Sequence, residues 1–288
     1  MSARTVLVTG ATGFVGRHLV AELLARGHRV RAVARDMDRA RAMPWFDAVD
    51  FRGVDLHADT LDVPALTADV DTLVHLAWPG LPAYDQLFHF ERNLPAAYDF
   101  IKRAVQAGVA RVQVTGTCFE YGLQSGMLGE DCLPQPANPY GLAKHTLHRF
   151  LQALRLSMPF ELQWARLFYL HGEGQNPRSL LASLDRAIDD GATSFPMSGG
   201  EQLRDYLPVE RAATYLAALL EHPTFDGVVN CCSGRPRSVR ALVEAHLAER
   251  GASISLRLGE FGYSPHEPMA FWGDSRRMQT LLGEDDGH

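Results

Sequence analysis

The sequence is poor in the features that mark several classes of protein. It has only four cysteines in 288 residues, none at C-x-x-C spacing, so neither a zinc site nor a disulfide framework is expected. Its apolar runs fall far short of the roughly 20 residues that cross a bilayer, so no membrane association is expected. The formal net charge of -6 leaves no basic stripe for nucleic acid. A strand pattern starts almost at the N-terminus, which leaves no room for a signal peptide and predicts a cytoplasmic protein.

What the sequence does contain is a regular alternation of strand-like and helix-like segments. The predicted strands are 5–8, 29–34, 51–55, 72–76, 111–115 and 162–167, and the predicted helices include 15–26, 88–107 and 140–156. This alternation is typical of an α/β fold with a parallel, doubly wound sheet. After about Gly172 the pattern loosens into Gly- and Pro-rich stretches. Residues 171–288 are therefore expected to form a smaller, mixed substrate-binding lobe, and the two units can share segments.

The segment TGATGFVG lies between the first predicted strand and the first predicted helix. Glycines here let the backbone turn tightly and approach a pyrophosphate, which amide groups at the helix N-terminus hold. The spacing GxxGxxG is one residue longer at its start than the usual GxGxxG, but its position favours a dinucleotide site over a plain turn. The expected contacts are Gly10, Thr12, Gly13, Phe14, Val15 and Gly16. Residues 1–170 are therefore expected to form an NAD(P)-binding Rossmann domain.

The end of the second strand indicates which dinucleotide is bound. NAD sites usually place an acidic residue there to bind the ribose 2′-hydroxyl, but this chain has Ala34 followed by Arg35. A guanidinium at this point favours a 2′-phosphate through charge-assisted hydrogen bonds. NADPH is therefore the expected cofactor. Asp36 leaves NADH open, because its carboxylate could serve the hydroxyl or pair with Arg35.

A tyrosine and a lysine four residues apart open the helix that follows the fifth strand. The spacing of Tyr140 and Lys144 puts both side chains on one helical face. An ammonium beside a phenol stabilises the phenolate, so we expect the pKa of Tyr140 to fall from about 10 towards neutrality. Tyr140 would then serve as a general acid or base.

Several segments together resemble the extended short-chain dehydrogenase/reductases, the nucleotide-sugar epimerases, dehydratases and reductases. They are TGATGFVG, the pair Asp55-Leu56, HLA at 75–77, YGLAK at 140–144 and RDY at 204–206, in the family's order. The resemblance implies that Asp55 and Leu56 flank the adenine and that Lys144 also holds the nicotinamide ribose. It also implies that Leu76, Ala77 and Trp78 line the cofactor. Asn93 either steadies the active-site helix, as in the family, or caps a helix.

The resemblance also implies a homodimer. The helices predicted at 88–107 and 140–156 resemble those that pair across a two-fold axis in relatives.

The segment GTCFEYG at 116–122 limits the reactions that the chain is expected to catalyse. Thr117 stands where the family places a Ser or Thr whose hydroxyl polarises a substrate carbonyl beside the tyrosine. Dehydrating relatives place Asp and Glu at the next two positions, and enolate-forming epimerases place Cys at the second. This chain has Cys118 and Phe119, which disfavours both reactions. Cys118 is expected to be a buried thiol and Glu120 a local hydrogen-bonding group.

The substrate side departs from the family pattern. RLFYLHG at 166–172 resembles the family's R-x-F-N-x-x-G, with Tyr169 in place of the asparagine that touches the sugar. Asn176 and Arg178 lie in a segment suited to phosphate. Arg204 matches an arginine that binds the nucleotide-sugar diphosphate, and the alternative is a salt bridge within the lobe.

The prediction is an NADPH-dependent reductase of a nucleotide-diphosphate-linked 4-keto-6-deoxy sugar, closest to the nucleotide-sugar 4-ketoreductases, with Thr117, Tyr140 and Lys144 catalytic. The keto-sugar substrate comes from the resemblance. Two alternatives use the same residues: an NAD-dependent nucleotide-sugar 4-epimerase and a reductase of a non-sugar carbonyl. A non-catalytic NADPH sensor is disfavoured by the retained Tyr–Lys pair. No metal site is expected, since His145 and His148 lack an acidic partner at metal spacing and are expected at the surface or at an interface.

Overall fold

The computed structural model describes residues 3–58, 60–222, 224–264 and 267–283. Their strands are β1 (Thr5–Thr9), β2 (Arg29–Ala34), β3 (Asp50–Gly53), β4 (Thr72–His75), β5 (Arg111–Thr117), β6 (Gly126–Leu128), β7 (Glu161–Leu167), β8 (Tyr169–His171), β9 (Ser194–Pro196), β10 (Leu203–Pro208), β11 (Gly227–Cys231), β12 (Pro236–Ser238), β13 (Ser255–Arg257) and β14 (Phe271–Gly273). Their α-helices are α1 (Phe14–Ala25), α2 (Met37–Arg41), α3 (Val63–Thr67), α4 (Leu94–Gln106), α5 (Pro139–Leu154), α6 (Leu180–Asp189), α7 (Val209–Glu221), α8 (Val239–Glu249) and α9 (Arg276–Leu282). All six predicted strands are present, with ends that differ by two residues at most.

A parallel sheet of seven strands forms the centre, in the order β11-β7-β5-β4-β1-β2-β3. The predicted doubly wound α/β fold is confirmed. The strand order reverses between β1 and β4, and in open α/β sheets ligands bind outside the carboxyl ends of the strands at such a point. The fold therefore places the ends of β1, β4 and β5 around the expected site.

Helices cover both faces of the sheet, because strands that are buried on both sides need apolar cover on both. On one face, α1 and α7 bury Leu19, Leu23 and Leu216 against it. On the other face, α3, α4 and α5 form a second cluster that includes Phe100 and Leu147.

The predicted division at residue 170 is not a clean one. Strand β11 pairs with β7 at the edge of the central sheet, and α7 covers one sheet face, although both follow residue 170. The remaining C-terminal segments form the lobe, with a three-stranded sheet β12-β10-β8 and an apolar cluster between α6 and α8. The division into two units thus stays a prediction, and residues after 170 contribute to the central sheet as well.

The helix predicted at 88–107 is interrupted. A π-helical turn covers His89–Asn93, and α4 begins only at Leu94. Pro95 supplies the reason: it has no N–H to donate to the carbonyl four residues earlier, and its ring crowds that carbonyl. The wider π turn accommodates this and brings the side chains of His89 and Asn93 towards the sheet edge.

No helix formed by the described residues combines the length and hydrophobicity needed to span a bilayer. Within the same residues, no three His, Cys, Asp or Glu side chains cluster so that they could hold a metal ion.

Candidate active site

A cavity of about 1030 Å³ opens at the carboxyl ends of the central strands, between the sheet and the lobe. Its lining contains the predicted residues Gly10, Thr12, Gly13, Phe14, Val15, Gly16, Arg35, Asp55, Leu56, Leu76, Ala77, Trp78, Thr117, Tyr140, Lys144, Tyr169, Asn176 and Arg178. Arg204 is not among the described residues that line it. The chain thus brings the predicted cofactor and catalytic residues to one space large enough for a dinucleotide and a second ligand.

The glycine turn has the shape that a dinucleotide requires. Gly10 has a φ of +70°, which side-chain-bearing residues rarely adopt. A Cβ on Gly16 would clash with the Gly10 carbonyl oxygen, so only glycine allows α1 to start this close to β1. Gly13 caps α1 without a side-chain hydrogen bond, and the first amides of the helix are available to an anion. These residues fit a pyrophosphate.

Two guanidinium groups lie beside the end of β2. Arg35 and Arg39 both line the cavity together with Asp36. The Asp36 carboxylate accepts a hydrogen bond from the Arg39 backbone N–H at 2.9 Å, so it caps the short helix α2. Arg39 was not predicted from the sequence, because the formation of the short helix α2 is what brings it to the cavity.

The end of β5 and the start of α5 bring the three predicted catalytic residues together. Asn138 caps α5 by accepting the Gly141 N–H at 2.8 Å, which sets where the helix begins. Tyr140 and Lys144 point from α5 into the cavity, and the Thr117 hydroxyl lies within hydrogen-bonding reach of the Tyr140 phenol. The Lys144 ammonium donates to the Thr115 carbonyl at 2.8 Å.

The predicted acidification of Tyr140 is wrong for this arrangement. Burial raises the pKa of Tyr140 above its ordinary value, and the hydrogen bond with Thr117 opposes this only in part. Burial also lowers the pKa of Lys144 to about 7, although Glu120 works in the opposite direction. Both side chains are buried, so desolvation outweighs the attraction that the spacing suggested. The phenol therefore keeps its proton at neutral pH.

The residues after Thr117 form a 3₁₀ turn over Cys118–Tyr121 that a fully buried carboxylate holds in place. Glu120 accepts hydrogen bonds from the Thr117 backbone N–H, Trp164 Nε1 and Arg166 Nε, each at 2.9 Å. Glu120 was expected to make local hydrogen bonds, but two of its three donors come from β7, and the third fixes the backbone that carries the Thr117 hydroxyl.

Neither residue between Thr117 and Glu120 can move protons on a substrate. Burial raises the pKa of the Cys118 thiol far above its ordinary value, so it stays protonated. Phe119 packs against Tyr84 and Tyr140, with ring centroids 4.8 and 6.2 Å apart. Tyr169 continues this aromatic wall, 6.4 Å from Phe119.

Arg204 forms a salt bridge within the lobe, which was the alternative to binding the diphosphate. It forms an ion pair with Glu267 at 2.9 Å and donates to the carbonyl oxygens of Leu203 and Met269. Its guanidinium lies over the Phe271 ring at 4.8 Å. The side chain is buried, so these partners satisfy the charge within the lobe.

Other expectations need correction or addition. His148 was expected at the surface or at an interface, but it is buried within the chain and packs on Trp164 at 4.8 Å. Asn93 makes no helix-capping hydrogen bond, and its amide donates to the Pro79 carbonyl at 2.9 Å. His89 and Tyr84, which contact Tyr140, were not anticipated, because the turns that carry them have no recognisable pattern.

Comparisons with known proteins identify the family. The model of the NAD dependent epimerase/dehydratase family matches residues 6–232. A dTDP-6-deoxy-L-talose 4-dehydrogenase (NAD(+)) from Aggregatibacter actinomycetemcomitans is 28% identical over 270 residues, 93% of this chain and 98% of that protein. MoeE5, solved with UDP-glucuronic acid and NAD, is 30% identical with a TM-score of 0.82, covering 97% of this chain and 92% of its own.

A third relative shares the fold at lower identity. The UDP-N-acetylglucosamine 4-epimerase from Methanobrevibacter ruminantium M1, solved with UDP-N-acetylmuramic acid, has a TM-score of 0.87 at 22% identity, over 98% of this chain and 92% of its own. The family match covers most of the chain and agrees with the resemblance that the motifs suggested. The chain belongs to the NAD-dependent epimerase/dehydratase family.

Proposed function

We propose that this protein is an NADPH-dependent reductase of a nucleotide-diphosphate-linked 4-keto-6-deoxy sugar. The observation that carries the proposal is the meeting of the Thr117 hydroxyl and the protonated Tyr140 phenol in the cavity that also contains the glycine turn. A relative named as a 4-dehydrogenase of a 6-deoxy sugar supports the substrate class, because 4-oxidation is the reverse of 4-keto reduction.

In the proposed reaction, the glycine turn at Gly10, Gly13 and Gly16 would hold a nicotinamide cofactor, which would supply hydride for the carbonyl carbon. The Tyr140 O–H bond breaks as its proton passes to the carbonyl oxygen, and solvent later restores the proton. The Thr117 hydroxyl donates a hydrogen bond to the same oxygen and so stabilises the charge that develops there. The raised pKa of Tyr140 keeps the phenol in the protonated form that reduction needs.

The surroundings of these groups support simple reduction over dehydration. Elimination of water from a sugar needs an additional acid and base near the reacting carbon. Cys118 is a buried thiol, Phe119 is inert, and Glu120 is occupied by three donors. The aromatic wall of Tyr84, Phe119 and Tyr169 offers an apolar surface that suits the methyl group of a 6-deoxy sugar.

A substrate screen tests this function. Purified protein is mixed with NADPH and the 4-keto-6-deoxy sugars of thymidine, cytidine, guanosine and uridine diphosphate. We expect one of them to consume NADPH in equimolar amount with the alcohol formed. Interconversion of two nucleotide sugars without net NADPH consumption would identify a 4-epimerase instead. Reduction of simple ketones with none of these sugars accepted would identify a non-sugar carbonyl reductase.

The NADPH preference rests on Arg35 and Arg39. Both guanidinium groups are exposed to the cavity beside β2, while the Asp36 carboxylate is engaged in capping α2. Two guanidinium groups that line the same cavity suit the dianionic 2′-phosphate of NADPH. The relatives whose names specify the cofactor specify NAD, so these two residues are where this chain would differ from them.

Removing both guanidinium groups is expected to abolish the coenzyme preference. In Arg35→Ala/Arg39→Ala, KM for NADPH should rise about 10- to 100-fold, because charge-assisted hydrogen bonds to the 2′-phosphate are lost, while KM for NADH stays nearly unchanged. Arg41→Ala is the matched control, since Arg41 ends the same helix and pairs with Asp38. Equal effects on the two coenzymes would contradict the assignment.

The proposal also retains Asn176 and Arg178 on the substrate side, in a segment that reaches over the cavity and is held to α1 by an Arg17–Glu173 ion pair at 3.2 Å. Arg204 is better described as support for Tyr169, whose ring centroid lies 5.9 Å from the guanidinium.

The proposed homodimer has some support as well. Leu142 and Phe150 are 44% and 45% exposed on α5, one of the two helices that the family resemblance pairs across a two-fold axis. Sedimentation equilibrium would test it.

A further inference from the structure

A histidine behind the catalytic pair has both ring nitrogens hydrogen-bonded. His89, in the π turn, is completely buried. Its Nδ1 lies 3.0 Å from Trp78 Nε1, and its Nε2 lies 2.9 Å from the Ala83 carbonyl oxygen. An indole N–H is only a donor and a carbonyl is only an acceptor. The ring must therefore accept at Nδ1 and donate from Nε2, which makes it the neutral Nε2–H tautomer.

The two partners of His89 both lead to the catalytic residues. The Lys144 ammonium lies over the Trp78 ring, 4.2 Å from the ring centroid. The centroids of the Trp78 and Tyr140 rings are 6.2 Å apart. Ala83 precedes Tyr84, whose carbonyl oxygen accepts the Tyr140 N–H at 3.1 Å. His89 therefore ties together the indole beneath Lys144 and the loop beside Tyr140.

We propose that neutral His89 is a positioning residue for Tyr140 and Lys144, and that its protonation releases Trp78 and turns the enzyme off. The proposal rests on the proposed function only in taking Tyr140 and Lys144 as the catalytic pair. A protonated ring would carry N–H at both nitrogens, so the Nδ1–H would face the indole N–H with no acceptor between them. A buried donor pair of this kind separates, and small displacements of catalytic groups have large effects on rate.

The charges around His89 support a neutral ring near pH 7. Burial is the main cause that lowers its pKa below 6.5, and Lys144 acts in the same direction. The hydrogen bond to the Ala83 carbonyl and the Asp85 carboxylate oppose this. From α5, the phenol ring of Tyr140 also faces it, 5.2 Å away, and stays uncharged. Protonation of His89 should therefore lower the activity only below pH 6.5, on the acid side of the pKa of about 7 of Lys144.

Two nearly isosteric replacements separate positioning from general structure. In His89→Asn, the amide oxygen can take the place of Nδ1 as acceptor for Trp78 and cannot titrate. We expect kcat near neutral pH within about threefold of wild type, and no acid limb from this site. His89→Leu has similar size but no acceptor, so kcat should fall at least about tenfold at every pH with a smaller change in KM.

A matched control and a second readout complete the test. His222→Gln alters a histidine at the end of α7 that packs on Phe225, and it should keep the wild-type acid limb. The Trp78 indole N–H resonance should be protected from hydrogen exchange in wild type and in His89→Asn, and exposed in His89→Leu. Lowering the pH should remove this protection in wild type but not in His89→Asn.

The indole readout needs no substrate, so it distinguishes failure of this proposal from failure of the proposed function. An acid limb in His89→Asn identical to that of wild type would overturn the proposal. A His89→Leu protein with wild-type kcat would also overturn it. The same holds if the protection of the indole proton changes with neither the substitution nor the pH.

Discussion

Tyr140→Phe should lower kcat by about 10²- to 10⁴-fold, because the substrate oxygen then loses its proton donor. The phenylalanine ring keeps the contacts that Tyr140 makes with Tyr84 at 5.5 Å and with Trp78 at 6.2 Å. Cofactor binding and the thermal midpoint should therefore change little. Steady-state reduction rates and a titration with NADPH would measure the two effects separately.

Tyr121→Phe is the matched control for this substitution. Tyr121 is also buried, but its hydroxyl donates to Asn230 at 2.7 Å, a bond that involves none of the proposed catalytic residues. Its removal should cost about 1 kcal/mol of stability and leave kcat unchanged. If Tyr140→Phe worked as well as wild type, Tyr140 would not be the acid, and the non-catalytic sensor would again be a candidate.

The central fold could be predicted because its determinants are local. Buried parallel strands such as β1 and β5 are short apolar runs, and the helices between them carry apolar residues at helical spacing. Strand β11 could not be assigned to the sheet in the same way. VVNC is strand-like, but only the packing of α7 across the sheet places it beside β7.

The site could be predicted where a motif fixes the backbone, and not where charge and burial compete. The glycine turn, Thr117, Tyr140 and Lys144 line one cavity, because the carboxyl ends of parallel strands meet at one edge. The direction of the Tyr140 pKa shift was missed, since spacing reveals the nearby ammonium but not the depth of burial. The ion pair of Arg204 with Glu267 also could not be predicted from the motif, because Glu267 lies 63 residues further along the chain.

The largest expected effect on stability comes from Glu120→Gln. Glu120 and Arg166 form a buried ion pair, with 0% and 2% of their side chains exposed. The glutamine would leave the guanidinium charge without a counter-charge and turn an amide N–H towards one of the three donors. Breaking one partner of a buried pair costs about 3–5 kcal/mol, which for a chain of this size lowers the thermal midpoint by on the order of 10 °C.

Two further variants decide whether the charge is responsible. Glu244→Gln removes a carboxylate from the exposed Arg240–Glu244 pair, and should leave the midpoint nearly unchanged, because solvent screens that pair. Glu120→Gln/Arg166→Met removes both buried charges, and should be more stable than Glu120→Gln alone. A double variant that is less stable than the single one would show that packing and hydrogen bonds to Thr117 and Trp164, more than the uncompensated charge, make Glu120 necessary.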